Sequence, residues 1–178
     1  QQLNLILETR ESARGLIVNI SDVLFDTAKY TLKPGAREKM AKLRPTVIAV
    51  TGSYGKTSVK TLLGHVLQFR APTLITPGSV NTPLGITRVV REQLTPAHQY
   101  FVVEMGAYGR GSIARLCELT PPNLGVITAI GPAHYERFKT LEETATAKSE
   151  LSEAVLAKGG RMVINGDILA FATPKRLL

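Results

Sequence analysis

The sequence predicts an α/β protein: a three-layer phosphate-loop fold with a mostly parallel sheet, preceded by a short strand–loop–helix segment. Three observations predict it. From Thr46 onward, short apolar runs rich in β-branched residues alternate with stretches of helical spacing, the pattern of βαβ crossovers. A glycine-rich stretch, GSYGKT, lies directly between the first apolar run and the first helical stretch. The residues able to bind metal or phosphate fall at the carboxyl ends of the runs, where parallel sheets place ligands.

The elements follow in order. Residues 15–20 (GLIVNI) read as a strand, 22–33 as a polar loop, and 35–43 as a short helix opened by Pro34. A change of character near Arg44 and Pro45 divides the chain into residues 1–44 and 45–178. Residues 46–51 (TVIAVT) form a buried strand, because an unbroken apolar run suits a sheet covered on both faces. Helical spacing covers 56–69, a short strand 72–75, and a helix 84–94. A strand at 100–104 (YFVVE), a helix at 111–119 and a strand at 124–130 (LGVITAI) come next. A long helix at 141–157 and a strand at 161–165 (RMVIN) complete the series.

Composition narrows the classes. With 178 residues, 44% of them hydrophobic, and a mean hydropathy of +0.06, the chain is long enough for one globular core. Its single cysteine, Cys117, excludes an internal disulfide framework and a multi-thiolate metal site. No apolar run approaches the roughly 18 residues of a membrane helix. Residues 1–7 lack a basic leader, so no secretory signal is expected, and the chain does not begin with Met. The net charge of +8 suits an anionic ligand. Nucleic acid is not expected as a partner, because the basic residues are scattered and no Trp is present to stack on bases.

The phosphate loop, Gly52-Ser53-Tyr54-Gly55-Lys56-Thr57-Ser58, carries the chemistry. Its glycines allow backbone N–H groups to converge on phosphate oxygens, and the helix that follows adds its positive end. Lys56 can reach the outer phosphates, and the Thr57 hydroxyl can ligate Mg²⁺. The spacing, G-x-x-G-K-T, is shorter than the general loop because position 50 is Val. Glu104 ends the strand YFVVE, where its carboxylate suits Mg²⁺; an ordinary strand-terminal acid fits the same spacing. His134 follows LGVITAI and is either a metal ligand or a surface or core histidine. Lys148, in the long helix, reads by itself as a solvated charge or half of a surface ion pair with Glu143 or Glu150 nearby.

Five phrases now acquire a shared meaning: TGSYGKTSVK (51–60), NTPLGIT (81–87), EMGAYGRGSIA (104–114), GVITAIGPAHYERF (125–138) and LEETATAKSEL (141–151). In this order, over residues 46–168, they resemble the central ATP-binding domain of the Mur ligases, and within them the MurF type. The resemblance implies an ATP- and Mg²⁺-dependent amide ligase of peptidoglycan precursor synthesis, working in the cytoplasm. A muramoyl-peptide carboxylate would attack the γ-phosphate to give an acyl phosphate. The amine of an amino acid or of D-Ala-D-Ala would then displace phosphate. It implies that residues 52–58 hold ATP, that Thr57 and Glu104 hold one Mg²⁺, and that His134 helps hold a second. Lys56, His134 and Lys148 would be catalytic, with Lys148 at the position of a lysine able to carry a carbamate. Asn81 and Thr82 would contact the UDP-N-acetylmuramoyl-peptide substrate or phosphates. Asn165 and Asp167 resemble an N-x-D-D turn near the nucleotide, with Ile168 in place of the second acid. Two further domains are implied in the full protein, one recognising the UDP-sugar and one presenting the amine, and this chain alone is not expected to turn over.

Residues 8–43 resemble the opening strand and helix of an OmpA-like peptidoglycan-associated domain. That resemblance implies a cell-envelope module in the periplasm or at the outer membrane. The sequence thus carries four readings: ligase core, peptidoglycan-binding module, phosphate-loop NTPase of another class, and inactive ligase remnant.

Overall fold

The computed structural model describes residues 9–12, 15–18, 35–132 and 138–177. Near the N-terminus, β1 (Thr9–Ser12) pairs antiparallel with β2 (Gly15–Val18). The remaining elements run α1 (Gly35–Leu43), β3 (Thr46–Thr51), α2 (Lys56–Gln68), β4 (Thr73–Ile75), α3 (Pro83–Gln93), β5 (Tyr100–Glu104), α4 (Ser112–Leu119), β6 (Leu124–Ile127), α5 (Leu141–Leu156), β7 (Arg161–Ile164), a 3₁₀ turn (Gly166–Ala170) and α6 (Ala172–Leu177). The expected polar loop at 22–33 and Pro34 lie outside the described residues.

Strands β3 to β7 form one sheet in the order β4-β5-β3-β6-β7, every neighbouring pair parallel. Crossover handedness turns this order into two helical layers. The chain steps from β3 outward to β4 and back to β5, then crosses to β6 and β7 on the other side. Right-handed connections therefore place α2 on one face and α3, α4 and α5 on the other. Packing agrees: α2 lies on β3, β4 and β5, whereas α1, α3, α4 and α5 form a continuous layer.

The central strand is buried from Val47 to Thr51, and Val47, Ala49, Phe101, Val103 and Ile127 form the middle of the core. From the helical layer, Ile86, Val90, Ile113, Leu116 and Leu151 meet them. Gly64 lets α2 lie close to β4, since a Cβ there would come within 2.2 Å of Ile75 Cδ1. Helix α1 belongs to the same body: Ala36 and Met40 are buried in the core, and the helix packs on α3 and α4.

Strand β6 ends at Ile127, three residues before the expected 130. Its register partner on β3 at that point is Thr51, where β3 gives way to the phosphate loop, so nothing remains for residues 128–130 to pair with as a ladder. The 3₁₀ turn and α6 lie beyond the elements legible in the sequence. Among the described residues no helix is long and apolar enough to cross a membrane.

Candidate functional site

The carboxyl ends of β3, β5 and β6 converge on one rim, and the loop after β3 lies between its neighbours. Gly52 takes a φ of 151°, and a Cβ there would come within 2.0 Å of Thr128 Oγ1. Only glycine fits so close an approach. Thr128 donates its hydroxyl to the Tyr54 carbonyl, with the Thr51 carbonyl 3.3 Å away. Ser53, buried, donates its backbone N–H to Ala129 O at 2.7 Å and its hydroxyl to Gly131 O at 3.0 Å, and accepts from Gly131 N at 3.0 Å. These bonds lash the loop to the segment after β6. Tyr54 is exposed and lies against Gly131.

Gly55 starts α2 in the left-handed region (φ 76°), with no side chain capping the helix. An uncapped N-terminus offers N–H donors and a partial positive charge to an anion. Lys56 arches over this turn, donating to Gly52 O at 2.9 Å and Ser53 O at 3.1 Å. Burial lowers its proton affinity below the ordinary lysine range, and the charge of Glu104 opposes that shift. Ser58 is exposed on the first turn.

Glu104, 1% exposed at the end of β5, is the hub. Its Oε2 accepts from Thr57 Oγ1 at 2.8 Å and lies 3.1 Å from Lys60 Nζ, while Oε1 accepts from Asn81 Nδ2 at 2.9 Å. The backbone N–H of Glu104 donates to Thr76 Oγ1, and Thr51 donates its hydroxyl to Met105 O. Asn81 is a bridge: its Oδ1 also accepts from Tyr108 OH at 3.0 Å, and its carbonyl accepts from Gly106 N. Thr82 caps α3, accepting from Gly85 N at 3.3 Å, and is exposed.

Lys148 reaches the same region from α5. It is 3% exposed, and its proton affinity is lowered from 10.5 to about 8, first by burial and then by the positive charge of Lys56. Asn165 and Asp167 stand on the same rim after β7, where Asn165 Oδ1 accepts from Asp167 N at 3.1 Å, and Ile168 is buried. His134 lies outside the described residues.

A divalent hard cation fits what is present. Thr57 and Glu104 place one hydroxyl and one carboxylate oxygen 2.8 Å apart at the mouth of a phosphate cradle. Mg²⁺ is commonly held by one or two carboxylates plus phosphate oxygens. Among the described residues no group of three or more His, Cys, Asp or Glu side chains forms a cage. A separate cavity of about 480 Å³, lined by Arg37, Met40 and Glu118 among others, contains none of these groups.

Sequence reasoning missed Lys60 and Thr128. A lysine within an amphipathic helix carries no mark of burial, and Thr128 acts only through a loop 74 positions away.

Residues 50–176 match the Mur ligase middle domain. The chain belongs to the Mur ligase family. Its Mur ligase relatives include the UDP-N-acetylmuramoyl-tripeptide–D-alanyl-D-alanine ligase of Mycobacterium tuberculosis, 39% identical over 74% of this chain and 26% of that protein. The Escherichia coli ligase of the same name is 37% identical over 68% of this chain and 26% of that protein. The chain therefore spans about a quarter of the length of these relatives. Among solved structures, MurF from Thermotoga maritima in complex with ADP superposes with a TM-score of 0.72 at 32% identity, covering 79% of this chain and 33% of that one. MurF from Acinetobacter baumannii gives 0.69 at 34% identity, over 80% of this chain and 32% of that one. The Mur ligase match begins at residue 50 and does not include the segment, 8–43, that resembles an OmpA-like domain.

Proposed function

We propose that residues 45–178 are the nucleotide-binding core of an ATP-dependent amide ligase of peptidoglycan precursor synthesis. The full protein would join a UDP-N-acetylmuramoyl-peptide to an amino acid or D-Ala-D-Ala in the cytoplasm. The observation that carries this reading is the contact of Thr57 with Glu104 at the mouth of the Gly52–Ser58 loop, with Lys56 arched above it. The likeness to MurF of Thermotoga maritima in complex with ADP supports a nucleotide at this place.

Mg·ATP, when bound, supplies the phosphoryl group that activates the carboxylate, with the ion neutralising charge on the phosphates. The chain's residues do the rest. Backbone N–H groups of the loop and the α2 N-terminus hold the phosphates, and Lys56 leaves its two carbonyls to meet the outer ones. Glu104 and Thr57 hold Mg²⁺, and Asn81 and Thr76 fix the orientation of Glu104. His134 is assigned to a second ion. Asn81, which holds Glu104 and Tyr108, and exposed Thr82 would contact the muramoyl-peptide substrate or the phosphates. Asn165 lies on the nucleotide side. Lys148, whose burial favours the neutral amine, is suited to take up CO₂ as a carbamate with release of a proton, turning a neutral amine beside Lys56 into an anion.

An ATP titration of this chain against Lys56→Ala tests the reading. Loss of a charge-assisted contact predicts roughly 10- to 100-fold weaker binding. Equal affinity for both proteins would reject the phosphate-loop assignment.

A further inference from the structure

We infer that Lys60 is a positioning residue that keeps Glu104 from taking a divalent cation on its own, so that the metal enters together with nucleotide phosphates. The inference rests on the assignment of Glu104 and Thr57 as metal ligands proposed above. Lys60 follows Thr57 by one turn of α2 and is 1% exposed, whereas Lys56 is only half-buried at the loop. It is spent inside: Nζ lies 3.1 Å from Glu104 Oε2 and donates to the Gly78 carbonyl in the loop before α3.

The charge balance follows. Glu104 carries one negative charge, Lys60 one positive charge, and both are 1% exposed. A bare dication arriving at Oε2 meets a carboxylate already matched and an ammonium at close range, with little water between to screen the repulsion. Nucleotide phosphates bring the missing negative charge. Gly78 gives Lys60 a second acceptor, so the ammonium stays partnered when Oε2 turns to the metal. Gly78 also precedes Asn81, which grips Oε1, so Lys60 ties the opposite sides of the carboxylate through one loop.

The experiment measures Mn²⁺ binding by electron paramagnetic resonance, with and without a non-hydrolysable ATP analogue, in wild type, Lys60→Met and Glu104→Gln. In Lys60→Met, Mn²⁺ alone is expected to bind about tenfold tighter than in wild type, while affinity with the analogue changes far less. A purely structural role would weaken both, and unassisted affinity that is unchanged or lower overturns the proposal. Should Lys60→Met not fold, the wild type decides through its isotope-labelled Lys60 ammonium resonance. Mg²⁺ with the analogue is expected to shift that signal and Mg²⁺ alone to leave it; an equal shift with Mg²⁺ alone overturns the proposal. Glu104→Gln separates the two claims. If it binds Mn²⁺ with the analogue as wild type does, the metal-ligand assignment itself is wrong. If it loses binding while Lys60→Met shows no gain, only the role of Lys60 is rejected.

Discussion

At Lys148 an ammonium is buried beside the ammonium of Lys56, and among the described residues no carboxylate forms an ion pair with it. The consequence for stability has a definite sign. With a folded value of about 8 and an ordinary value of 10.5, the side chain is charged in both states at lower pH, and the burial penalty is present in full. Between those values the unfolded chain binds more protons, so stability rises with pH. Urea unfolding at a series of pH values should show wild type gaining on the order of 2 kcal/mol relative to Lys148→Met from pH about 8 to about 10. Cys117 opposes this at the upper end. Burial raises its thiol from 9.0 to about 12, so the folded state loses ground once the unfolded thiol ionises, and the variant should show that fall alone. The phosphate loop was legible at this scale because its chemistry is local: glycines, lysine and threonine act on the same anion. Lys60 was not, because its partner Glu104 lies 44 positions away and nothing in TSVKTLL distinguishes a buried lysine from a solvated one.

Helix α5 holds its register through Glu150. Two residues beyond Lys148, this carboxylate accepts from Gly111 N at 2.6 Å and Ala114 N at 3.0 Å, closing the open N-terminus of α4 from a neighbouring helix. Charge at a helix N-terminus and charge-assisted bonds to backbone donors both stabilise. Glu150→Ala should therefore lower the unfolding free energy by about 1–2 kcal/mol, and Glu150→Gln by less, measured by chemical denaturation. Helices α3 and α5 begin where side chains dictate, at Thr82 and at Thr140, whose hydroxyls accept from Gly85 N and Glu143 N. Such caps are short-range, which is why both helix starts were readable within a residue. The end of β6 was not: LGVITAI stays apolar through Ile130, but the ladder stops when its partner strand becomes a loop, a fact of the neighbour and not of the run.

The parallel sheet and its alternation of elements were legible over the whole α/β body because burial on both faces demands unbroken apolar strands. Less legible was how much of the N-terminal region joins that body. Helix α1 was grouped with residues 1–44 by composition, yet Ala36 is 0% and Met40 5% exposed against α3 and α4. A chain starting at residue 45 should consequently unfold at lower urea than one starting at residue 35, by about 2–4 kcal/mol, the scale of losing a buried methionine and its neighbours.

Seen from solvent, the phosphate cradle presents half-buried Lys56 and the uncapped N-terminus of α2 within a chain of net charge +8. Field lines from such a concavity reach well past contact distance at low ionic strength. A multiply charged anion would be drawn in from afar and turned phosphate-first before any hydrogen bond forms. Capture speed would thus be governed by salt, while the snugness of the final grip would belong to the glycine backbone.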